Sequence, residues 1–257
     1  MRHSLLLAAL VVLLAACGST PSRNPSGAKS RVGGEPSPAE INVSLGQGYL
    51  EQGKLEIAMD KLQHALELDP RLPSAHTVIA LVYERIGDRP NAEFHYKRAV
   101  QLLPKSGATN NNYGTFLCQE LKFEEADKYF ERALADPFYE TPAVGWANRG
   151  SCALKAGHVE LAEQYLRNAV RLDPNSAQAL YDLAVILADR QDYFRARAFV
   201  QRYEAMAADS PESLLLAMRI EQGLDNSVAV KDYRNRLLTG FPDSEQALSL
   251  ERSEPQQ

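Results

Sequence analysis

The sequence has no CxxC pair, no HExxH and no GxSxG, and its five histidines, His3, His64, His76, His95 and His158, are scattered along it. Zinc peptidase, dithiol and serine-hydrolase chemistry therefore lack the residues they need. Nor is there an excess of positive charge: 28 Lys and Arg stand against 33 Asp and Glu, a net charge of −5. Nucleic-acid binding depends on neutralising phosphates, so no nucleic-acid partner is expected. With no converging cluster of catalytic side chains, the expectation is a non-enzyme with no cofactor, no metal and no small-molecule substrate. The many carboxylates read as solvated helix faces.

A long apolar run is also missing. The longest, Leu5 to Ala16, has twelve residues, whereas a membrane-spanning helix takes about 20. It follows Arg2 and His3 and ends in small residues, which is the arrangement of an export signal over residues 1–16. Leu14-Ala15-Ala16-Cys17 resembles the lipobox of bacterial lipoproteins. That resemblance implies cleavage before Cys17, lipid attachment at its thiol and acylation of the new amino terminus, each buried methylene adding about 0.8 kcal/mol of membrane retention. Gly18 stands where an Asp would resemble an inner-membrane retention signal, so the expected location is the outer membrane, lipid-anchored and facing the periplasm.

Gly18 to Pro38 holds 13 Gly, Pro or Ser among 21 residues and no apolar periodicity. With Cys17 it reads as a lipidated, flexible linker, residues 17–38, reaching about 25 Å on average.

Beyond it a unit recurs. In Pro73 to Ser106, Ile79, Ala80 and Tyr83 share one helical face, Gly87 interrupts, and Ala92, Tyr96 and Ala99 form a second face that ends at Pro104. The small residue at its eighth position is found again as Gly46, Ala80, Gly114, Gly150, Ala184 and Ala217. Twelve places on, alanine recurs as Ala58, Ala92, Ala126, Ala162, Ala196 and Ala229. Helices approach to about 8–10 Å only where crossing side chains are small, which gives this rhythm a steric reason. The 34-residue unit resembles the tetratricopeptide repeat, or TPR. The resemblance implies an all-α, right-handed solenoid of six repeats over residues 39–243, about twelve antiparallel helices, with a short capping helix in 244–257.

Local features fit into this register. Gly46, Gly48 and Gly53 are placed inside a helix, so they are not a phosphate loop. ADPFYETPAVGW delays the fourth repeat by two residues, as a tolerated loop insertion, and Trp146 sits where the family packs an aromatic. Tyr203 and Arg236 replace the alanine of other repeats. Cys118 and Cys152 fall on neighbouring helices but not on clearly facing positions. An oxidising compartment would permit a bridge between them, and two buried thiols are the expectation.

SLGQGYLEQGK in the first repeat, NNYGTFL in the third, the PFYETP insertion and SLLLAMR in the sixth together resemble the PilF/PilW family of type IV pilus biogenesis lipoproteins, the TPR pilotins. The resemblance implies an outer-membrane lipoprotein that binds the pilus secretin and promotes its localisation and multimerisation. The alternative is a periplasmic TPR adaptor for cell-wall enzymes or another envelope assembly. In TPR-like packing the partner's groove is lined by Val43, Gln47 and Leu50 of the first repeat, Thr77, Leu81 and Glu84 of the second, and Asn111, Thr115 and Gln119 of the third. Their apolar and neutral character points to an apolar segment and not to a bound carboxyl terminus.

Overall fold

The computed structural model describes residues 35–252. Among them are thirteen helices and no strand. They are α1 (Pro38–Glu51), α2 (Leu55–Leu68), α3 (Pro73–Ile86), α4 (Arg89–Leu102), α5 (Gly107–Gln119), α6 (Phe123–Leu134) and α7 (Pro142–Lys155). The remainder are α8 (Val159–Leu172), α9 (Ala177–Asp189), α10 (Tyr193–Glu204), α11 (Pro211–Gly223), α12 (Ser227–Gly240) and α13 (Glu245–Arg252). Odd and even helices pair as first and second helix of six repeats, α1 also meets α3, α5 meets α7, α7 meets α9 and α9 meets α11, and α13 packs on α11 and α12. This is the all-α TPR solenoid. α1 begins at Pro38, capped by the Ser37 side chain, so the last linker residue is already helical. The signal and lipidation assignments, Cys17 included, lie outside the described residues. No described helix is long and apolar enough to cross a membrane.

Why the chain turns where it does follows from one backbone motif used six times. Each first helix ends in a residue of positive φ: Gly53, Gly87, Leu121, Gly157, Gln191 and Asp225. Gly53 is thus a turn residue rather than a helical one. The next N–H reaches back to the carbonyl five residues earlier, as in Lys54 to Tyr49 at 2.9 Å and Asn226 to Glu221 at 3.0 Å, closing a Schellman cap. Glycine takes this conformation freely, whereas a side-chain-bearing residue there costs about 1–2 kcal/mol. Leu121, at φ 59°, is 70% exposed, so burial does not offset that cost.

The small-residue positions sit at the crossings. Ala58, Ala92, Ala126, Ala162 and Ala196 are wholly buried, as are Ala80 and Ala184. A β-carbon on Gly46 would lie 2.6 Å from Leu62 Cγ, one on Gly150 2.7 Å from Leu166 Cγ, and one on Gly114 3.0 Å from Phe130 Cε1. The larger side chain of the second helix fills the space that the first helix gives up. Ala229 in the last repeat is only half-buried. Tyr203 packs against Tyr181 with the rings tilted, 5.4 Å between centroids, and Arg236 turns outward to Asp209 at 2.6 Å.

The insertion before α7 is a built loop. Asp136 accepts the backbone N–H of Gly107 at 2.7 Å and of Phe138 at 2.9 Å. Tyr139 is buried between Gly107 and Gly145, whose absent β-carbons would collide with its ring. Nearby, the expectation of two free thiols is overturned: Cys118 of α5 and Cys152 of α7 form a disulfide, with Cα atoms 5.8 Å apart. Repeat register does not specify how far one first helix is staggered along its neighbour. In α5 and α7 the stagger brings the twelfth position of one repeat level with the tenth of the next.

Candidate functional site

The first helices present one continuous face, and two hollows lie on it. The N-terminal hollow, about 490 Å³, is lined by Gln47, Leu50, Leu81, Glu84, Arg89 and Gln119, with Glu51 and Arg85 at its margin. Leu50 is almost wholly covered, while Leu81 is 38% exposed and supplies most of the apolar contact surface. The polar wall is pre-ordered. Tyr96 donates its hydroxyl to Glu84 at 2.5 Å, and Arg89 reaches Glu120 at 2.8 Å, Glu84 at 3.5 Å and the Gln119 amide oxygen at 3.4 Å. Burial raises the Glu84 pKa, a shift opposed by the Tyr96 hydrogen bond and the Arg89 charge. Burial likewise pushes the Tyr96 hydroxyl well above the usual phenol range, so it stays a donor.

The second hollow, about 230 Å³, lies over α5, α7 and α9. The Asn148 amide donates to Asn111 Oδ1 at 3.1 Å, tying α7 to α5. Ser151 donates its hydroxyl to Asp182 Oδ2, and Gln178 Nε2 donates to Asp182 Oδ1 at 3.0 Å, tying α7 and α9 together. Burial raises the Asp182 pKa, with the Ser151 and Gln178 hydrogen bonds and Lys155 acting the other way. Amides and hydroxyls at fixed positions match the N–H and C=O groups of a polypeptide better than any one charged group does. Among the described residues no group of three or more His, Cys, Asp or Glu could hold a metal ion.

Of the nine residues predicted for the groove, the structure gathers Gln47, Leu50, Leu81, Glu84 and Gln119 around the N-terminal hollow. Thr115 and Gln119 line the second, and Asn111, largely buried, braces it through Asn148. Asn111 itself lines neither hollow, and the other two take no part in either. Val43 is in the core with Val78 and Ile79, and the Thr77 hydroxyl donates to the Pro73 carbonyl at 3.1 Å. The sequence reading missed Asn148, Ser151, Gln178 and Asp182: the same spacing carried into the fourth and fifth repeats reaches Ser151 and Gln178 at the ninth and second positions, but not Asn148 and Asp182, which both stand at the sixth. It also missed Arg89, for which no such signal exists, since it reaches the hollow from the start of a second helix.

Two family models match, one described as TPR repeat over residues 46–87 and one as tetratricopeptide repeat over residues 148–211. The type IV pilus assembly protein PilF of Pseudomonas aeruginosa is 27% identical over 241 residues, which cover 92% of this chain and 94% of that protein. Its solved structure superimposes with a TM-score of 0.77 at 25% identity, covering 84% of this chain and 97% of the other. A protein of Haemophilus influenzae is 34% identical over 145 residues, 56% of this chain and 81% of that protein. The crystal structure of PilW, described as a widely conserved type IV pilus biogenesis factor, matches with a TM-score of 0.75 at 30% identity over 82% of this chain and 97% of that one. Near end-to-end coverage in both sequence and fold, and not the repeat alone, places this chain in the PilF/PilW family of tetratricopeptide-repeat proteins of type IV pilus biogenesis.

Proposed function

We propose that the chain acts as a pilotin: a non-catalytic lipoprotein, anchored through Cys17 on the periplasmic side of the outer membrane, that binds the pilus secretin and promotes its localisation and ring assembly. The lipobox-like Leu14-Ala15-Ala16-Cys17 and Gly18 support the anchor and its membrane. The observation that carries the binding role is the N-terminal hollow, where Leu81 is exposed beside the ordered Arg89, Glu84 and Gln119. An apolar side chain of the secretin covers Leu81, and the surrounding polar groups meet its backbone.

The test is a pull-down of purified secretin by the purified protein. Leu81→Glu, which leaves the core intact, is expected to weaken binding at least tenfold while the circular dichroism spectrum stays native. Undiminished binding removes the hollow as the site. In cells, deletion is expected to abolish secretin multimers while monomer remains. Cys17→Ser is expected to lose palmitate label and outer-membrane fractionation, and a variant that keeps both overturns the anchor. Multimers that persist after deletion favour an adaptor for another envelope assembly.

A further inference from the structure

A third hollow, about 300 Å³, opens between α6, α7 and α8 and backs onto the inner one through Phe130 and Cys152, which line both. Its floor is apolar: Phe123, Phe130, Ala153, Ala156 and the half-exposed Leu161. One wall is polar but already satisfied. Arg149 is held by Asp127 through two hydrogen bonds, 2.7 and 2.9 Å, and lies 4.4 Å over the Tyr165 ring. Phe123 and Glu124 also line a shallower hollow beside Leu121, so the two join into one surface. Leu121 occupies a positive-φ position that three other repeats give to glycine, and its side chain remains 70% exposed. Neither the backbone nor the core of this chain gains from a leucine there. A contact from outside does.

The charges around the opening say what kind. Glu124 and Glu125 are exposed, and the Glu160 side chain is 84% exposed. Of the nearby cations, Lys122 is engaged by Glu93 at 3.1 Å and Arg190 by Glu163 and, at 3.5 Å, by Glu160, which leaves Lys128 against Glu124 and Glu125, with His158 at the rim. The volume suits one aromatic or branched side chain and not a helix. Two of the chain's other segments do not supply it: between Gly18 and Gly34 the largest apolar residue is Val32, and residues 253–257 read SEPQQ. The Cys118–Cys152 bridge fixes the junction, so the hollow exists before any ligand arrives.

We propose that this hollow is a second docking site, separate from the inner face, for a short partner segment that carries one Phe or Leu anchor flanked by Lys or Arg. Trp146, the sole tryptophan, lies 5.5 Å from the Tyr165 ring and reports occupancy by its fluorescence. The probe is the blocked pentapeptide Lys-Lys-Phe-Lys-Lys, titrated into the purified protein. A saturable change is expected, at least tenfold weaker for Lys-Lys-Ala-Lys-Lys and for Glu-Glu-Phe-Glu-Glu. Ala156→Phe, which fills the hollow, is expected to remove the response. Leu121→Gly is expected to weaken it at least threefold while raising the melting temperature, a pairing that damage to the fold does not produce. Leu81→Glu leaves it unchanged, so loss of this site and loss of the inner-face site are told apart. Equal responses to the three peptides, a response that survives Ala156→Phe and Leu121→Gly, or a signal that tracks self-association of the protein overturns the proposal.

Discussion

His76 on α3 and His95 on α4 meet ring to ring, with their Nδ1 atoms 3.0 Å apart. Nε2 of His76 lies 3.4 Å from the Pro70 carbonyl, and donating that N–H leaves Nδ1 of His76 as the acceptor of the His95 N–H. A proton on His76 Nδ1 would set two donors against each other. Tyr83 stacks on the His95 ring, and Arg98 is the positive charge that faces His76.

Acid sensitivity follows. Burial, and then the neighbouring His76, lowers the His95 pKa to about 4, and burial lowers that of His76. In the unfolded chain both titrate at about 6.5. A depressed histidine keeps its stability contribution above the unfolded pKa and loses it as pH falls toward the folded value, because the unfolded state then takes up protons first. Urea midpoints of the native protein are expected to be level from pH 8 to 7 and to decline from pH 6.5 toward 4. His95→Gln is expected to flatten the upper part of that decline, and an unchanged slope contradicts the pairing.

Two glycines of α1, two residues apart, are expected to respond in opposite directions. A β-carbon on Gly46 meets Leu62 Cγ at 2.6 Å, whereas one on Gly48 meets nothing within 4 Å. Gly46→Ala should cost about 1–3 kcal/mol by overpacking. Gly48→Ala should add about 0.5–1 kcal/mol through helix propensity. Gly114→Leu, pressed against Phe130, belongs with the first. Equilibrium unfolding measures all three, and a stabilising Gly46→Ala would show that α1 and α2 do not cross there.

Loss of the disulfide is expected to be costly. Its cysteines are 34 residues apart, and closing a loop of that length is worth about 3–4 kcal/mol in the chain-entropy account. Cys118→Ser/Cys152→Ser, or the native protein under dithiothreitol, should unfold at lower temperature. Equal melting with and without reductant would mean that the bridge is not closed in solution.

Positive φ at Gln191 gives a stabilising substitution. The residue stands at φ 60° where other repeats use glycine. Gln191→Gly should raise stability by about 1 kcal/mol despite the more flexible unfolded chain. Gly87→Ala, at φ 82° with open space around it, should lower stability by a similar amount, for backbone reasons alone. Both are read from urea unfolding. Matching losses in the two variants would show that the six turns do not share one conformation.

Much of the fold was legible because a repeat writes the same steric requirement many times. Gly46, Ala80 and Gly114 at one position and Ala58, Ala92 and Ala126 at another mark helix crossings, so register and helix number follow from the sequence by itself, whereas the turn at Gly53 was read as helix and those at Leu121, Gln191 and Asp225 carry no glycine to mark them. The inner face followed in part. Helical period places Gln47, Leu81, Thr115 and Gln119 on it, since side chains three or four apart share a face whatever they touch. Depth along that face was not legible: Val43 and Leu81 have similar hydropathy and the same periodicity, yet one is in the core and the other in solvent.

What only the tertiary structure decided are the relations between helices. The stagger of α7 along α5 closes Cys118 onto Cys152, the crossing of α3 and α4 brings His76 onto His95, and the shared neighbour Asp182 joins Ser151 to Gln178. Arg89 reaches the N-terminal hollow from a second helix, and the hollow beside Leu121 exists because α6 and α8 stand apart at the junction between the third and fourth repeats. Period and composition act along one helix at a time. Offset, crossing and gap depend on how the side chains of two helices fill space together, and no single stretch of sequence carries that.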